Sequence, residues 1–259
     1  LTSHCDGNTN HPLFNRLHSI NRLIITDIDN TLVGDSKSLK ELIKWLKEKK
    51  EKICFAVATG RNIESTIGIL QVNQVPLPDV FITSVGTEIY YQHQGKILSD
   101  HDWEDRLKTD WNPDFIKEVL SKLSFLTLQL DIRPYKISYL LNQYDEAKVQ
   151  KVHDVLQENG LQYNLVLTEY SLLDILPKTA SKYEASRFVL DKFQIDERNI
   201  IACGDAGNDE EMLTGFPYSV VVANHQEELK GLKNVYYSPK SYAAAILDGL
   251  KYYHFMEDL

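Results

Sequence analysis

The chain has 259 residues, 43% hydrophobic and 25% charged, which suits a soluble globular protein built as one large domain or as a core with a smaller insert. Its 28 Lys plus Arg against 37 Asp plus Glu leave a formal charge of -9 with no basic tract, which argues against nucleic-acid binding as its main task. No apolar stretch approaches the ~18 residues of a membrane span and no charged-then-apolar signal segment opens the chain, so the expectation is a cytoplasmic protein with no membrane partner.

Residues 1–21 are polar and poorly periodic and read as a linker or lead-in. An opening Leu1 in place of Met fits a fragment, a processed product or a domain of a longer polypeptide. His4, Cys5, His11 and His18 match no compact metal-finger spacing. Cys5, Cys54 and Cys203 are odd in number and lack Cys-x-x-Cys spacing; two of them sit in apolar runs, so free buried thiols are expected.

The first strong signal is Leu23-Ile24-Ile25-Thr26-Asp27-Ile28-Asp29-Asn30-Thr31, an apolar run that ends in two carboxylates one residue apart. Side chains alternate along an extended segment, so Asp27 and Asp29 point the same way, one available for attack and the other for proton transfer. A carboxylate is a feeble nucleophile in water, and a divalent cation can align it with a phosphoryl group and neutralise the repelling oxygens. Leu39, Leu42, Ile43 and Leu46 then mark an amphipathic helix over Ser38 to Lys49, with Ser38 as its cap. Ile53 to Ala58 is an apolar strand ending in Thr59-Gly60-Arg61. Asn62 caps a helix through Leu70, Pro76 and Pro78 mark a turn, and Val80 to Thr83 is another strand.

Between about Leu98 and Leu173 the pattern changes. A helix from Asn112-Pro113 to Leu123, strands over Phe125 to Leu130 and Tyr135 to Leu141, a helix from Asp145 to Asn159, and strands over Gln162 to Thr168 and Ser171 to Ile175 give αββ twice. Neighbouring strands of this kind form an antiparallel sheet with helices on one face. Thereafter Lys182 opens an amphipathic segment reaching Phe193, and Ile200 to Cys203 is a strand followed by Gly204-Asp205-Ala206-Gly207-Asn208-Asp209. Val220 to Val222 is a strand, and Tyr242 to Tyr253 a closing helix. The fold class read from this order is α/β, a doubly wound mostly parallel sheet with an inserted α+β cap domain. Residues 22–97 and 174–259 form the core and 98–173 the cap. Ligands of such sheets bind outside the carboxyl ends of the strands, where these polar motifs fall.

Taken singly, each motif is also an ordinary strand-end turn, a solvated lysine or a surface arginine. As an ordered set, Asp-x-Asp-x-Thr, Thr, Lys and Gly-Asp-x-x-Asn-Asp resemble the haloacid dehalogenase-like phosphatases, over nearly all the chain from Leu23. The segments Asp27 to Asp35, Ala58 to Arg61, Val85 to Tyr90, Lys136-Ile137-Ser138-Tyr139 and Cys203 to Asp209 resemble the sucrose-phosphate phosphatase family. That resemblance implies a Mg²⁺-dependent phosphatase acting on sucrose 6-phosphate through an aspartyl-phosphate, with Asp27 as nucleophile and Asp29 as acid and base. It implies Mg²⁺ held by the Asp27 carboxylate, the Asp29 carbonyl and Asp205, with Asn208 and Asp209 orienting these groups or Lys182. Thr59 and the Gly60 amide would hold phosphate oxygens, with Lys182 neutralising charge. Arg61 is either a phosphate or sugar contact or a surface ion pair. Glu88 and Lys136 would meet the sugar. The same module occurs fused behind sucrose-phosphate synthase, the partner so implied. The alternatives are a phosphatase for trehalose 6-phosphate or a hexose phosphate, and a non-catalytic sugar-phosphate-binding domain of the synthase.

Overall fold

Both faces of the first strand are apolar, and that decides the layering. In the computed structural model, which describes Ser3–His4, Leu17 and Arg22–Glu257, strand β1 (Arg22–Thr26) lies inside a large sheet. Leu23 and Ile25 pack on one face and Ile24 on the other. A strand buried on both sides cannot be one side of a two-layer protein. Helix α1 (Ser36–Lys49) follows, then β2 (Ile53–Ala58), α2 (Ile63–Val72) and β3 (Val80–Thr83). The chain then makes a hairpin of β4 (Glu88–His93) and β5 (Lys96–Ser99), and continues into α3 (His101–Leu107).

The excursion that comes next comprises α4 (Pro113–Leu120), β6 (Leu126–Leu128), β7 (Ile137–Leu141), α5 (Glu146–Glu158), β8 (Asn164–Thr168) and β9 (Leu172–Leu176). Its sheet has the order β6-β7-β9-β8, antiparallel throughout. The core resumes with α6 (Lys182–Phe193), β10 (Ile200–Gly204), α7 (Glu210–Gly215), β11 (Ser219–Val221), β12 (Tyr236–Tyr237) and α8 (Ala243–Tyr252). The large sheet has the order β5-β4-β3-β2-β1-β10-β11-β12, with the two residues Ser3–His4 paired outside β5. It is parallel from β3 to β12 and antiparallel only at the hairpin. Helices α3 and α6 cover one face through Trp103, Leu107, Phe188 and Val189. Helices α1, α2 and α8 cover the other through Leu42, Leu70 and Ile246. The doubly wound core with an α+β insert is therefore present.

The sequence signals meet corrections in detail. Asp35, not Ser38, caps α1: its carboxylate accepts from the Ser38 N–H at 2.8 Å, and a carboxylate at a helix N-terminus also complements the helix dipole. Helix α4 stops at Leu120 rather than Leu123, and the expected Phe125 to Leu130 strand is regular only over Leu126–Leu128. The hairpin β4–β5 and helices α3 and α7 had no counterpart in the sequence reading. Hydrogen bonding keeps Leu98 and Ser99 in the large sheet and Asp174 to Leu176 in the small one, so the divisions at 97/98 and 173/174 both fall within strands. Cys54 and Cys203 are buried, whereas Cys5, His11 and His18 lie outside the described residues. Among the described residues no helix is long and apolar enough to cross a membrane.

In the small sheet the period of two has a direct consequence for the cleft. Ile137, Tyr139, Leu173 and Ile175 pack against Ile116, Leu120, Val152 and Leu156 of α4 and α5. Their alternates, Ser138 and Asp174, sit opposite one another in the strand register on the other face. That face is turned toward the carboxyl ends of the core strands, where Asp174 joins core residues in lining one cavity.

Candidate active site

Three adjacent core strands, β2, β1 and β10, end side by side and deliver Thr59, Asp27 and Asp205 to one spot. The loop after β10 adds Asn208 and Asp209, and the first residue of α6 adds Lys182. Ser181 caps that helix by accepting from the Glu184 N–H at 3.0 Å, which fixes where Lys182 begins. Gly86 (φ +88) makes this seat possible, because a Cβ there would fall 2.1 Å from the Ser181 carbonyl oxygen.

Lys182 is buried, and its three N–H donors are all spent. They reach Asp27 Oδ1 at 2.7 Å, Asp209 Oδ1 at 2.7 Å and Asn208 Oδ1 at 3.0 Å. Asp209 Oδ2 accepts from the Asp205 and Ala206 backbone N–H groups, at 3.0 and 3.2 Å. Asp205 Oδ1 accepts from the Thr31 hydroxyl at 2.8 Å. Oxygens of Asp27, Asp205 and Asp209 lie within 4.8 Å of one another.

The electrostatic consequence is severe crowding. Burial pushes the Asp27 carboxyl up to about 7 although Lys182 opposes it. Burial, then the neighbouring Asp209 and Asp27 carboxylates, push Asp205 to about 8. Lys182 moves upward as well: burial alone would lower it, but Asp209 and Asp27 outweigh that. Three buried carboxylates against one ammonium are short of positive charge, and their hard oxygen donors fit a small divalent cation such as Mg²⁺.

Asp29 takes a different partner. Its two carboxylate oxygens accept from Arg61 Nε at 2.6 Å and Arg61 Nη2 at 2.8 Å, while Arg61 Nη1 donates to Ser65 Oγ at 2.7 Å. Of the two readings open for Arg61, the structure displays the ion pair, made with an acidic member of the Asp-x-Asp pair itself. Asp29 side-chain oxygens are thus not in the Asp27–Asp205–Asp209 cluster.

A cavity of about 360 Å³ opens over these groups, lined on the core side by Asp27, Asp29, Thr59, Gly60, Arg61, Asp205 and Asn208, and on the cap side by Thr168, Glu169, Leu172 and Asp174. Asp174 is buried and accepts from the Ser138 hydroxyl; burial pushes its carboxyl up, with Lys136 opposing. The Thr168 hydroxyl finds no hydrogen-bond partner among the described residues. Sequence reading gave neither residue a role, although an aspartate inside the apolar run Leu172-Leu173-Asp174-Ile175-Leu176 is itself a signal, since buried carboxylates are rare without a purpose.

Glu88 and Lys136 do not line that cavity. They meet in a charged cluster at the seam between cap and core. Lys136 Nζ lies 3.4 Å from Asp131 Oδ2 and 3.5 Å from the Gly60 carbonyl oxygen. Glu88 accepts from Thr83 Oγ1 and Tyr90 Oη, and its other oxygen is 3.9 Å from Arg133 Nη1. Arg133 also approaches Glu64 at 3.6 Å and Asp131 at 3.1 Å. Arg133 had no place in the sequence reading; only the seating of cap on core reveals it.

Residues 20–254 match the family model of the sucrose-6F-phosphate phosphohydrolases. The chain belongs to that family. It is 33% identical to the probable sucrose-phosphatase 3a of Arabidopsis thaliana, over 83% of this chain and 53% of that protein. It is also 33% identical to sucrose-phosphatase 2 of Nicotiana tabacum, over 80% and 51%. The chain therefore spans about half the length of the curated relatives it matches. The X-ray structure of the sucrose-phosphatase from Synechocystis sp. PCC6803, in complex with sucrose and phosphate, superposes with a TM-score of 0.85 at 28% identity, covering 91% of this chain and 98% of that one. Membership of the sucrose-6F-phosphate phosphohydrolases agrees with the mostly parallel sheet, the insert and the acidic cluster at the strand ends.

Proposed function

We propose that this chain hydrolyses the phosphate monoester of sucrose 6-phosphate through a covalent aspartyl-phosphate on Asp27. The observation that carries this reading is the convergence of Asp27, Asp205, Asp209 and Lys182 at the strand ends, beneath a cap that contributes Asp174 and Thr168 to the same cavity. Family membership supports the sugar phosphate as substrate.

In the first step an Asp27 oxygen bonds to phosphorus as the bond from phosphorus to the sugar oxygen breaks, and Asp29 gives that oxygen its proton. In the second step Asp29 takes a proton from water, whose oxygen bonds to phosphorus while the bond to Asp27 breaks. Lys182 holds Asp27 in line from below. Thr59 and the Gly60 amide receive phosphate oxygens. For Asp29 to pass a proton, Arg61 must release one of the two oxygens it holds. General acid–base help accounts for about 10²- to 10⁴-fold, so the larger share of the acceleration falls to covalent catalysis and preorganised charge. Asp27, Asp205 and the Asp29 carbonyl are the groups that would hold Mg²⁺, with Asn208 and Asp209 bracing them. When bound, Mg²⁺ offsets the negative charge shared by the carboxylates and the phosphoryl oxygens.

Glu88 and Lys136 form the sugar side of this proposal. The upstream reaction that such a substrate requires is glycosyl transfer onto a hexose phosphate, the role the resemblance assigns to a sucrose-phosphate synthase. The deciding experiment is phosphate release from sucrose 6-phosphate, trehalose 6-phosphate and simple hexose phosphates, with and without Mg²⁺. A Mg²⁺-dependent preference for sucrose 6-phosphate is expected; release from none of them, with sugar phosphate still binding, would replace an enzyme with a sensing domain.

A further inference from the structure

Glu228 stands outside every motif discussed so far, yet its carboxylate joins the cap to the loop that carries Asp205, Asn208 and Asp209. One oxygen accepts from the Tyr170 backbone N–H at 2.9 Å, and the other from the Gly207 backbone N–H at 3.0 Å. Tyr170 sits at the tip of the cap hairpin between β8 and β9; Gly207 opens the turn that presents Asn208 and Asp209.

Both ends of this bridge are stiff. The tip is a two-residue turn whose central residues Glu169 (φ 52) and Tyr170 (φ 50) are both left-handed, closed by the Ser171 N–H on the Thr168 carbonyl. That geometry matches the twist of the paired strands, so the tip moves with the strands and not independently. At the other end, Leu229 next to Glu228 is fully buried against Leu213 and Val221. The cap backbone also touches the loop directly: a Cβ on Gly207 would lie 2.6 Å from the Leu167 carbonyl oxygen. Beside the bridge a cavity of about 480 Å³ opens between the two bodies, lined by Glu228 and Gly207 together with residues such as Asn164, Val166 and Glu211. Strand β8 packs on the Gly207–Asp209 turn, and Glu228 is the charged acceptor bonded to both bodies at that contact.

We propose that Glu228 is a positioning residue that clamps the closed cap hairpin onto the Asp205–Asp209 loop, coupling recognition of the sugar by the cap to the geometry of the reacting groups. This rests on the sugar-phosphatase reading above. A substrate that fills the cap feels the clamp; a small aryl phosphate, held by its phosphate alone, does not. A residue that merely capped the turn at Gly207 would act on both substrates alike.

The test compares the full chain with its Glu228→Ala and Glu228→Gln variants, the second keeping side-chain shape but offering one acceptor oxygen. Hydrogen exchange is followed at Tyr170 and Gly207 without substrate, and kcat/KM is measured for sucrose 6-phosphate and 4-nitrophenyl phosphate. Faster exchange at both amides is expected in the alanine variant. Loss of charged hydrogen bonds predicts a fall of about 10- to 100-fold for the sugar phosphate and little change for the aryl phosphate. Unchanged Tyr170 exchange, or equal losses on the two substrates, overturns the clamp. If the wild-type chain proves inactive on every sugar phosphate, the functional reading fails, while exchange at Tyr170 still decides whether Glu228 anchors the cap.

Discussion

Arg61 grips both carboxylate oxygens of Asp29, at 2.6 and 2.8 Å, and so holds the proposed proton-transfer group in one orientation beside Asp27. A bidentate guanidinium fixes direction as well as charge, which a lysine cannot reproduce. Arg61→Lys is therefore expected to lower kcat by about 10-fold or more, within the range ascribed to acid–base catalysis. The check is a double-mutant cycle with Asp29→Asn. If Arg61 works through Asp29, its substitution costs little once Asp29 is gone; full additivity would mean that Arg61 acts elsewhere, on phosphate or sugar.

The crowded carboxylates give the metal-free protein a pH signature. Asp27 and Asp205 are pushed up to about 7 and about 8 from the ordinary 3.8, so between those limits the folded state binds more protons than the unfolded one. Stability contributed by these groups is present at low pH and falls as pH rises toward 8. A cation pairing with the ionised carboxylates offsets the loss, so the rise in Tm produced by Mg²⁺ should be larger near pH 8 than near pH 6. Melting curves with Mg²⁺ or a chelator at the two pH values supply the comparison, and Asp205→Asn should flatten it. A Mg²⁺ shift independent of pH is the result that this account cannot accommodate.

Lys182 is the only cation bonded to Asp27 and Asp209 among the described residues. Lys182→Met keeps the bulk of the side chain and strands two buried carboxylates, so it should abolish turnover and destabilise by about 3–5 kcal/mol. Denaturant unfolding measures the second effect. A variant that is inactive yet as stable as the wild type would show that Lys182 serves chemistry alone.

Arg133 links the cap to Glu64 and Glu88 through contacts of 3.6 and 3.9 Å, too long to be strong. Arg133→Ala should raise KM for the sugar phosphate by no more than about fivefold and leave 4-nitrophenyl phosphate unaffected. Steady-state kinetics on both substrates test this, and a drop in kcat on the small substrate would point to a wider structural role.

The parts of the site that sequence made legible are those fixed by the ends of core strands. Asp27, Thr59 and Asp205 converge because parallel strands in register bring their ends together, with Asp209 following in the loop after β10, and apolar runs mark such strands plainly. The hairpin β4–β5 had a readable turn, Gln94-Gly95, with both residues left-handed, but the polar Glu88 to His93 obscured its strands. Arg133 and Glu228 were invisible for a different reason. Their partners lie across the seam between cap and core, and no local period encodes that seating.

Asp174 and Lys182 are joined by an uninterrupted run of chain that leaves the cap sheet at Leu176 and enters α6 six residues later, at Lys182. The return tether of the cap thus ends on the lysine that grips Asp27. A connection this short limits how far the cap sheet can lie from Lys182. The cap is moored beside Asp27 on its return side, and residues inserted between Leu176 and Ser181 are expected to loosen the placement of Asp174 over the cavity.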